Sequence, residues 1–422
     1  MGEKTGSPVN LVVSTVKEAE NLVPLLKEYQ AAGRAVNASL APLPTWIASI
    51  CSLFLDQVLY AFPLHPSAVP RLAVVSKELG SKGLSIMVDH PQQLEYAKSL
   101  ASASGHAPLV FMKIDGGYHR AGAIPHTAAS AELVDALVHL HAERTIVFYG
   151  LYIHAGHSYE LRENWQALKY LLEEIEILGK FADTVRSGSA QLPLVLSLGA
   201  SPTATSLQHP CLAQSAECAH EESEICRSLR SQMEKLKSKG YIIEAHAGVY
   251  PTLDLQQLAT HARGPELLSS SDIAISILAD VVSLYPGRGP DGRTEALINV
   301  GCLGLGREPC KDMGPEPGIH YNGWGIVMPW PEAGPTNPPP TSEFPAVHGG
   351  WQVTKVSQEH GILGWEGDKS SEVPLRIGQR VRIWPNHSCI AGSGFEWYLI
   401  VDSRKEGARD TVVDVWPRWR GW

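Results

Sequence analysis

Two patterns of apolar and polar positions follow one another along the chain. Up to about residue 266, short apolar runs rich in β-branched residues alternate with longer segments whose apolar residues recur at helical spacing. The runs predict strands at 10–14, 58–62, 84–88, 109–114, 146–153, 192–198 and 241–244. The segments between them predict helices at 15–29, 67–79, 91–103, 128–142 and 165–184. This regular alternation predicts an α/β fold, a (β/α) barrel of the TIM type, whose chemistry lies on the loops that follow the strands.

From about residue 267 onward, alternation and short apolar runs replace the helical period. The predicted strands are 273–284, 296–300, 325–328, 351–356, 379–384, 397–402 and 412–416. A proline-rich stretch, 329–345, is predicted to be an exposed loop. We therefore expect two domains, a barrel over residues 1–266 and a mostly β domain over residues 267–422.

Two stretches of the barrel region do not fit the alternation. The first, 38–57, is apolar and almost uncharged, but Pro42 and Pro44 shorten the run, so a buried insertion is favoured over a membrane span. The second, 206–239, contains a charged helix over 221–239. Its length predicts an insertion on the surface.

Composition narrows the range of partners. The net charge is −9 and the pI is about 6.0, so no basic surface is predicted for nucleic acid or an anionic membrane, and a small-molecule substrate is favoured. The seven cysteines are scattered without a C-x-x-C motif, which favours reduced thiols. The first residues are polar and do not resemble a signal peptide, so a cytoplasmic location is expected.

Three loops at predicted strand ends carry candidate chemistry. Arg120 lies among glycines in the first, where a guanidinium could hold an anion. His154 and Tyr159 lie in the second, and either side chain can carry protons. Small residues at 199–203 and 247–248 could cradle a phosphate. The combination suggests pyridoxal phosphate, although ordinary turns and phosphosugar enzymes use similar residues.

A further candidate lies near the C-terminus, where Pro385 and Asn386 stop the predicted strand at 379–384. His387 and Cys389 follow, two positions apart. Side chains two apart in an extended chain point to the same side, so the imidazole and the thiol could hold one metal ion, and this pair suits zinc. Two ligands do not fill a tetrahedral shell, and the alternative is a structural histidine beside an ordinary cysteine.

Six segments, taken in order, resemble one family. They are Asp115-Gly-Gly-Tyr-His-Arg-Ala-Gly122, His154-Ala-Gly-His-Ser-Tyr159, Leu198-Gly-Ala-Ser-Pro-Thr203, Glu244-Ala-His-Ala-Gly-Val-Tyr250, Ser357-Gln-Glu-His-Gly361 and Pro385-Asn-His-Ser-Cys389. Through them the chain resembles the eukaryotic, fungal-type D-serine dehydratases, fold-type III pyridoxal phosphate enzymes related to alanine racemase and D-threonine aldolase. The resemblance runs from about Val9 to the C-terminus, outside the two insertions. It implies an alanine racemase-like barrel followed by a β domain that carries zinc.

The resemblance also implies an activity. This is the elimination of water from a small D-amino acid, D-serine, to give pyruvate and ammonia with pyridoxal 5'-phosphate and Zn2+ as cofactors. His387 and Cys389 match the zinc ligands, and the metal would polarise the substrate hydroxyl. The positions that match cofactor-binding residues are Arg120, His154, Tyr159, Ser201, Gly248 and Val249. Tyr159 is also the catalytic candidate, Val249 stands where asparagine is expected, and a homodimer is implied.

The start of the chain departs from the family pattern. The Schiff-base lysine of the family lies on the first barrel strand in a segment resembling Arg-Pro-His-x-Lys-Thr-His-Lys, and neither Lys4 nor Lys113 matches it. We therefore expect a barrel that lacks its first strand and little or no dehydratase activity. Joining Asn37 to Val58 would restore a family-like strand, so residues 38–57 are interpreted as translated non-coding sequence. The alternatives are a D-threonine aldolase-like lyase and a non-catalytic protein that binds pyridoxal phosphate or metal.

Overall fold

A computed structural model describes residues 10–31, 57–188, 192, 194–212, 220–310, 321–328, 350–402, 404–405, 410–419 and 421. The predicted insertion at 38–57, except for Gln57, and the proline-rich stretch at 329–345 lie outside these residues. The chain forms two units, here called the α/β unit and the β unit. The α/β unit comprises Met1–Ser158, Ala167–Ala247 and Trp419–Trp422, and the β unit comprises Tyr159–Gln166 and Gly248–Arg418. Within the described residues, none of the helices is long and apolar enough to cross a lipid bilayer.

Seven parallel strands form the sheet of the α/β unit. They are β1 (Asn10–Val13), β2 (Gln57–Pro63), β3 (Leu84–Val88), β4 (Leu109–Lys113), β5 (Val147–Tyr152), β6 (Val195–Leu198) and β7 (Ile242–Ala245). They pair in sequence order, and in the described part of the chain the edge strands β1 and β7 do not pair with each other. The Asn10 amide on β1 nevertheless donates to the Glu244 carboxyl on β7 at 3.2 Å. The sheet is therefore strongly curled, which confirms the predicted barrel-type α/β fold.

Helices connect these strands and supply the other layer of the unit. They are α1 (Val16–Ala31), α2 (Val69–Leu79), α3 (Gln93–Ser104), α4 (Ala128–Ala142), α5 (Asn164–Gly188), α6 (Ser201–Thr205) and α7 (His220–Ser238). The first helix begins where the sequence predicts it. The Thr15 hydroxyl accepts from Glu18 N at 3.2 Å, and the Glu18 carboxylate accepts from Thr15 N at 3.0 Å. This capping box satisfies two amide groups that a helix N-terminus otherwise leaves without partners.

The sheet and helices of this unit share one large hydrophobic core. All five residues of β3 and all five of β4 are buried, as expected for parallel strands covered on both faces. On α7, the side chains of Cys226, Leu229, Met233 and Leu236 are buried in the same core. The helix predicted over 221–239 is therefore confirmed, and its buried face packs in the core of the α/β unit.

A closed antiparallel barrel forms the centre of the β unit. Its strands are β8 (Ile277–Tyr285), β9 (Glu295–Ile298), β10 (Ile326–Val327), β11 (Trp351–Val356), β12 (Gly361–Trp365) and β13 (Arg380–Trp384). They close in the order β10-β11-β12-β9-β8-β13. Trp351, Val353 and Leu363 are fully buried in its core. The predicted mostly β architecture is confirmed, although β12 is a strand that the sequence analysis missed.

Short helices and a separate hairpin complete the described part of the β unit. They are α8 (Leu255–Ala259), α9 (Cys302–Leu305), α10 (Ser388–Ser393), β14 (Trp397–Val401) and β15 (Val412–Pro417). In α8, Leu255 packs with Ile326 and Trp384 in a second small core. Because this packing includes α8, the β unit begins at Gly248, earlier than the predicted boundary at residue 267.

Candidate cofactor and metal sites

Four side chains at the C-terminal ends of strands form a stack in the α/β unit. The rings of Tyr152 and His246 lie 4.2 Å apart, centroid to centroid, with 10° between their planes. His246 is also nearly parallel to His154, at 6.1 Å and 17°. The Nζ atom of Lys113 lies 4.8 Å from the Tyr152 ring centroid. Parallel pairing of Lys113 with Tyr152 brings these groups to the edge of the sheet where barrel chemistry is expected.

Lys113 is a buried amine at the end of β4, with 6% of its surface exposed. Burial is the main cause that lowers its pKa to about 8, and the charge of Arg120 acts in the same direction, whereas Asp89 and Asp115 oppose it. In the sequence, Lys113 is apparent only as a lysine that does not match the family's Schiff-base segment. The available signal was a lysine inside an otherwise apolar strand, a position that a solvent-facing lysine would not occupy.

Both imidazoles of the stack are neutral at physiological pH. Burial lowers the pKa of His154 to about 4, and its Nδ1 lies 3.0 Å from the Gly199 carbonyl, so this nitrogen carries the proton and donates. Burial also lowers the pKa of His246, whose Nδ1 lies 3.1 Å from Ser197 Oγ. The other ring nitrogen of His246, Nε2, is buried and has no hydrogen-bond partner in the part of the chain that the structure describes. A polar ligand would satisfy such a nitrogen.

A buried carboxyl ties together the loops that follow β5 and β6. Glu174 on α5 accepts from Ala155 N at 2.9 Å and from Gly199 N at 3.2 Å. Its other oxygen accepts from Thr203 Oγ1 at 3.0 Å. Burial raises the pKa of Glu174 to about 8, against the three hydrogen bonds, which lower it. The sequence analysis missed Glu174 because one acidic residue in a long helix gives no sign of its distant partners.

Ser201 and Arg120, two predicted cofactor-binding residues, differ in exposure. Ser201 is 1% exposed and begins α6, shortly after Gly199, which has φ +127°. A Cβ atom at Gly199 would lie 2.6 Å from a backbone carbonyl oxygen, so glycine is required in this turn. Arg120 is exposed, with its guanidinium carbon 5.3 Å from the Tyr118 ring centroid. Its charge nevertheless contributes to the lowered pKa of His154, after the larger effect of burial.

Tyr159, Gly248 and Val249 belong to the β unit. Tyr159 stacks on His387 with the ring centroids 6.0 Å apart and 13° between the planes. The structure therefore brings a predicted cofactor residue next to a predicted zinc ligand. Val249 is 2% exposed, and its carbonyl accepts from Leu253 N at 2.7 Å. Val249 thus opens a hydrogen-bonded turn, with Gly248 directly before it.

The predicted metal pair does not lie in an extended chain. His387 has φ −134° and ψ 109° and caps α10, so Cys389 lies in the first turn of a short helix. The expectation that the two side chains point to one side because the chain is extended is therefore wrong. His387 is half-buried, and Cys389 is exposed and is not in a disulfide. An imidazole and a thiol remain a set of donors that suits zinc.

Hydrogen bonds from distant residues hold the chain next to His387. The Asn386 side-chain amide donates to the carbonyl of Glu308 at 3.0 Å and to that of Gly323 at 2.8 Å. The Tyr321 hydroxyl donates to Asn386 Oδ1 at 2.7 Å. Asn386 is 1% exposed, so its amide is fully committed to these partners and supports the turn rather than a ligand.

A second group of potential metal ligands lies in the α/β unit. His209, Cys211 and Cys226 are buried, and their ligand atoms all lie within 4.8 Å of one another. Cys211, however, is disulfide-bonded, so its sulfur does not offer a thiolate, and we assign no metal to this group. The disulfide departs from the reduced thiols that the sequence predicts. The other cysteines of the described chain are not disulfide-bonded: Cys226, Cys302, Cys310 and Cys389.

Two family models match the chain, one in each half. Residues 64–217 match the model described as "Alanine racemase, N-terminal domain". Residues 274–401 match the model described as "Putative serine dehydratase domain". The first match covers most of the curled parallel sheet, and the second covers the antiparallel barrel and the turn with His387 and Cys389.

Relatives match over nearly the full chain. The D-serine dehydratase of Schizosaccharomyces pombe is 30% identical over 416 residues, which are 98% of this chain and 79% of that protein. The D-serine dehydratase of Saccharomyces cerevisiae is 29% identical over 417 residues, 98% of this chain and 81% of that protein. Among solved structures, D-threo-3-hydroxyaspartate dehydratase from Delftia sp. HT23 has a TM-score of 0.61 at 22% identity, covering 100% of this chain and 92% of that chain. A cysteine-to-alanine variant of that enzyme has been solved in a metal-free form.

The fold and the family models together define the class. A curled parallel sheet with an alanine racemase N-terminal domain, followed by an antiparallel barrel, is the architecture of the fold-type III pyridoxal phosphate enzymes. Within that class, 30% sequence identity to a D-serine dehydratase over 98% of this chain shows the family. The chain belongs to the D-serine dehydratase family. The resemblance drawn from the six sequence segments is thereby confirmed.

The residues present fit the two groups that this family implies. For pyridoxal phosphate, the unsatisfied nitrogen of His246 lies in a stack with the Lys113 amine nearby, and a ring with polar substituents would satisfy such groups. For zinc, the His387 imidazole and the Cys389 thiol, which is not in a disulfide, are donors of the appropriate chemistry.

Proposed function

We propose that this chain is a lyase of the D-serine dehydratase type, in which pyridoxal 5'-phosphate and Zn2+ serve to remove water from D-serine and form pyruvate and ammonia. We also propose that its turnover is low, because neither Lys4 nor Lys113 matches the family's Schiff-base lysine segment. The observation that carries the proposal is the turn with His387 and Cys389. It offers an imidazole and an exposed thiol that is not in a disulfide, in a chain 30% identical to a D-serine dehydratase. Zinc held by few protein ligands keeps coordination positions open for a substrate oxygen.

The cofactor roles follow the sequence matches. Pyridoxal phosphate, when bound, supplies an electron sink for negative charge at the substrate Cα. Ser201 is proposed to donate its hydroxyl to the phosphate, and the N–H groups of Gly248 and Val249 are proposed as further donors, because turn amides favour anions. Arg120 is proposed to hold the phenolic oxygen of the ring, since a guanidinium stays charged at physiological pH. His154 is neutral and would contact the cofactor without adding positive charge.

The metal roles concern the β unit. Zinc at His387 and Cys389, when bound, would polarise the substrate hydroxyl and make it a better leaving group. Tyr159 stacks on His387, so its ring restricts the orientation of that imidazole. The Tyr159 hydroxyl oxygen is also proposed to contact the cofactor and to move a proton during elimination.

The activity test measures the products formed by the purified chain supplied with both groups. D-serine should yield pyruvate and ammonia slowly and in equal amounts, because no lysine matches the family's Schiff-base segment, and L-serine should yield neither product. Aldehyde release from D-threonine in place of pyruvate would instead identify an aldolase. If D-threo-3-hydroxyaspartate were turned over faster than D-serine, the substrate would be that of the Delftia relative and not D-serine. Bound cofactor without turnover of any of these substrates would contradict the lyase and leave a binding protein.

Zinc content tests the metal pair directly. His387→Ala and Cys389→Ala should each lower the zinc content of the purified protein, because each removes one of the two ligands. Cys302→Ala removes another free thiol of the β unit and is the matched control, with unchanged zinc content. If neither ligand variant loses zinc, the pair has a structural role instead.

We also propose that the chain forms a homodimer and is located in the cytoplasm, as the family resemblance implies. The chain mass is 45.8 kDa, so sedimentation equilibrium should give twice this mass. A monomer mass at micromolar concentration would contradict the dimer. Cell fractionation with an antibody against the chain tests the location separately.

A further inference from the structure

A buried carboxylate that the sequence analysis did not identify lies against the turn with His387 and Cys389. Asp254 is 0% exposed. Its Oδ2 accepts at 2.9 Å from the N–H of Ser388, the residue between the two proposed ligands. Its Oδ1 accepts from Gln257 N at 3.1 Å. The contact with Ser388 spans 134 positions of sequence, so it belongs to the tertiary structure and not to a local turn.

Main-chain hydrogen bonds run alongside this contact. Leu255 N donates to the carbonyl of Pro385 at 3.2 Å, and Gln256 N donates to the carbonyl of Asn386 at 3.1 Å. The first residues of α8 are therefore joined to the chain that leads into α10. Asp254, which directly precedes these two residues, provides the charged contact in this joint, and hydrogen bonds to a charged acceptor are roughly twice as strong as neutral ones.

The backbone directs Asp254 toward the turn at a local conformational cost. Leu253 has φ +55°, in the left-handed region that branched side chains disfavour. Such a conformation persists where the surrounding contacts over-determine it. One such contact is close by, because the hydroxyls of Thr252 and Ser388 lie 2.9 Å apart. The segment before α8 is thus held against the turn by side chains as well as by main chain.

We propose that Asp254 is a positioning residue for the zinc site. Its carboxylate holds the Ser388 N–H and thereby keeps the His387 and Cys389 side chains in the arrangement that binds the metal. The inference rests on the proposed metal function of that pair and deepens it by assigning the group that orients the ligands. Groups that orient metal ligands through hydrogen bonds typically contribute about 10- to 100-fold to metal affinity.

Asp254→Ser separates this role from helix capping. A serine oxygen still caps α8 by accepting from Gln257 N, but it does not reach Ser388 N at the same time. We expect Asp254→Ser to raise the Kd for zinc about 10- to 100-fold in competition with a chromophoric chelator. Asp272→Ser is the matched control, because Asp272 accepts from Ser269 N at 2.7 Å in an exposed turn of the same unit. Its Kd should equal that of the unchanged protein.

A second pair of variants tests the same bond from the donor side. Ser388 is the first residue of α10, where proline is favoured, and His387 before it has the extended backbone that proline requires. Ser388→Pro therefore removes the N–H while it retains the helix start, and the Kd for zinc should rise by a similar factor. Ser388→Ala keeps the N–H and loses only the hydroxyl contacts, so its Kd should rise much less than that of Ser388→Pro. This pair keeps the test decisive if Asp254→Ser does not fold.

Cobalt absorbance provides a readout that does not depend on activity. At saturating Co2+, the thiolate charge-transfer band should persist in Asp254→Ser, because both ligands are present, while the ligand-field bands should shift because their arrangement has changed. A general loss of stability would not move these bands. Zinc Kd values and cobalt spectra that match those of the unchanged protein in both Asp254→Ser and Ser388→Pro would overturn the inference.

The His387→Ala variant, measured in the same assay, distinguishes the two possible failures. If His387→Ala leaves zinc binding intact, the proposed metal site itself is wrong. If His387→Ala abolishes zinc binding while Asp254→Ser and Ser388→Pro do not weaken it, the metal site stands and only the positioning role is wrong.

Discussion

Each unit holds its chemistry-bearing loops with one buried carboxyl, but the two carboxyls have different supports. Glu174 projects from the 25-residue helix α5 and joins the loops that follow two core strands. Asp254 precedes the five-residue helix α8 and joins it to the turn at Ser388. Because the partners of Glu174 lie at the ends of core strands, its loss should mainly lower stability. The loss of Asp254 should mainly lower metal affinity.

The two carboxyls also differ in their electrostatic surroundings. Burial raises the pKa of Glu174 to about 8, and the groups that oppose it are uncharged hydrogen-bond donors. Burial raises the pKa of Asp254 as well, but the Ser388 N–H and the charge of nearby His387 act against it. Glu174 is therefore the carboxyl whose protonation should change in the range between neutral and mildly basic pH.

Among the variants that test the different roles of the two carboxyls, Glu174→Leu should have the largest effect on stability. The change leaves two buried N–H groups and the Thr203 hydroxyl without their acceptor, and each such group costs about 1–3 kcal/mol. We expect the free energy of unfolding to fall by about 3–5 kcal/mol in urea denaturation. Glu176→Leu is the control on the same helix, where Glu176 pairs with Lys180 at 3.0 Å near the surface, and it should cost less than about 1 kcal/mol. Equal losses in the two variants would contradict a special role for Glu174.

A smaller effect should appear in the pH dependence of stability. Folded Glu174, with a pKa of about 8, retains a proton that the unfolded chain, with a glutamate pKa near 4.5, has released. The stability from this group is therefore present at low pH and is lost as the pH rises toward and through 8. Between pH 6.5 and 8 the loss should be about 1.5 kcal/mol. Lys113, His154 and His246 have lowered pKa values, so their contributions to stability rise with pH in this window and oppose that of Glu174. The contribution of Glu174 is therefore measured as a difference from a variant that cannot titrate at this position.

Unfolding free energies measured at pH 6.5 and pH 8 check this expectation. Glu174→Gln cannot titrate, so between pH 6.5 and pH 8 its unfolding free energy should change by about 1.5 kcal/mol in the stabilising direction relative to the change in the unchanged protein. Glu176→Gln should retain the slope of the unchanged protein, because Glu176 is only partly buried. An unchanged slope in Glu174→Gln would show that the carboxyl does not titrate in this range.

The smallest effect should come from a contact that is local in sequence. Thr15→Ala removes the hydroxyl of the α1 capping box and should cost about 1 kcal/mol of unfolding free energy. The zinc Kd should not change, since Thr15 lies in the other unit from the metal pair. Thr15→Ser keeps the oxygen and serves as the control. If Thr15→Ala lowered the unfolding free energy as much as Glu174→Leu does, local and tertiary contacts would contribute equally to stability. That result would contradict the larger role assigned to Glu174.

Much of the fold could be predicted from the chain, but β12 shows where the pattern fails. This strand begins at Gly361 and contains Gly364, and glycine is typical of turns. In the structure a Cβ atom at Gly361 would lie 2.4 Å from the Val300 carbonyl oxygen. Glycine is therefore required by a close approach of the chain just after β9, a cause that lies 61 residues away and leaves no local signal.

The candidate site also has some features that could be identified from the sequence and others that could not. The imidazole and the thiol at His387 and Cys389 could be identified from their identities and spacing, and the loops with Ser201 and His154 from their places after predicted strands. The conformation of the metal turn was predicted as extended and is a helix start. Residues 385–389 alone do not show the contact that accompanies this helix start, because the acceptor for Ser388 N is the distant residue Asp254.

The sequence by itself determined the alternation of strands and helices, the start of α1 and the presence of the donor side chains. Each of these depends on residues within a few positions of one another. Only the tertiary structure decided that Glu174 joins two loops, that β12 completes a closed barrel and that Asp254 holds the metal turn. Those outcomes depend on buried polar groups finding partners 19 to 134 positions away, and the cost of leaving such groups unpaired appears only when the chain has packed.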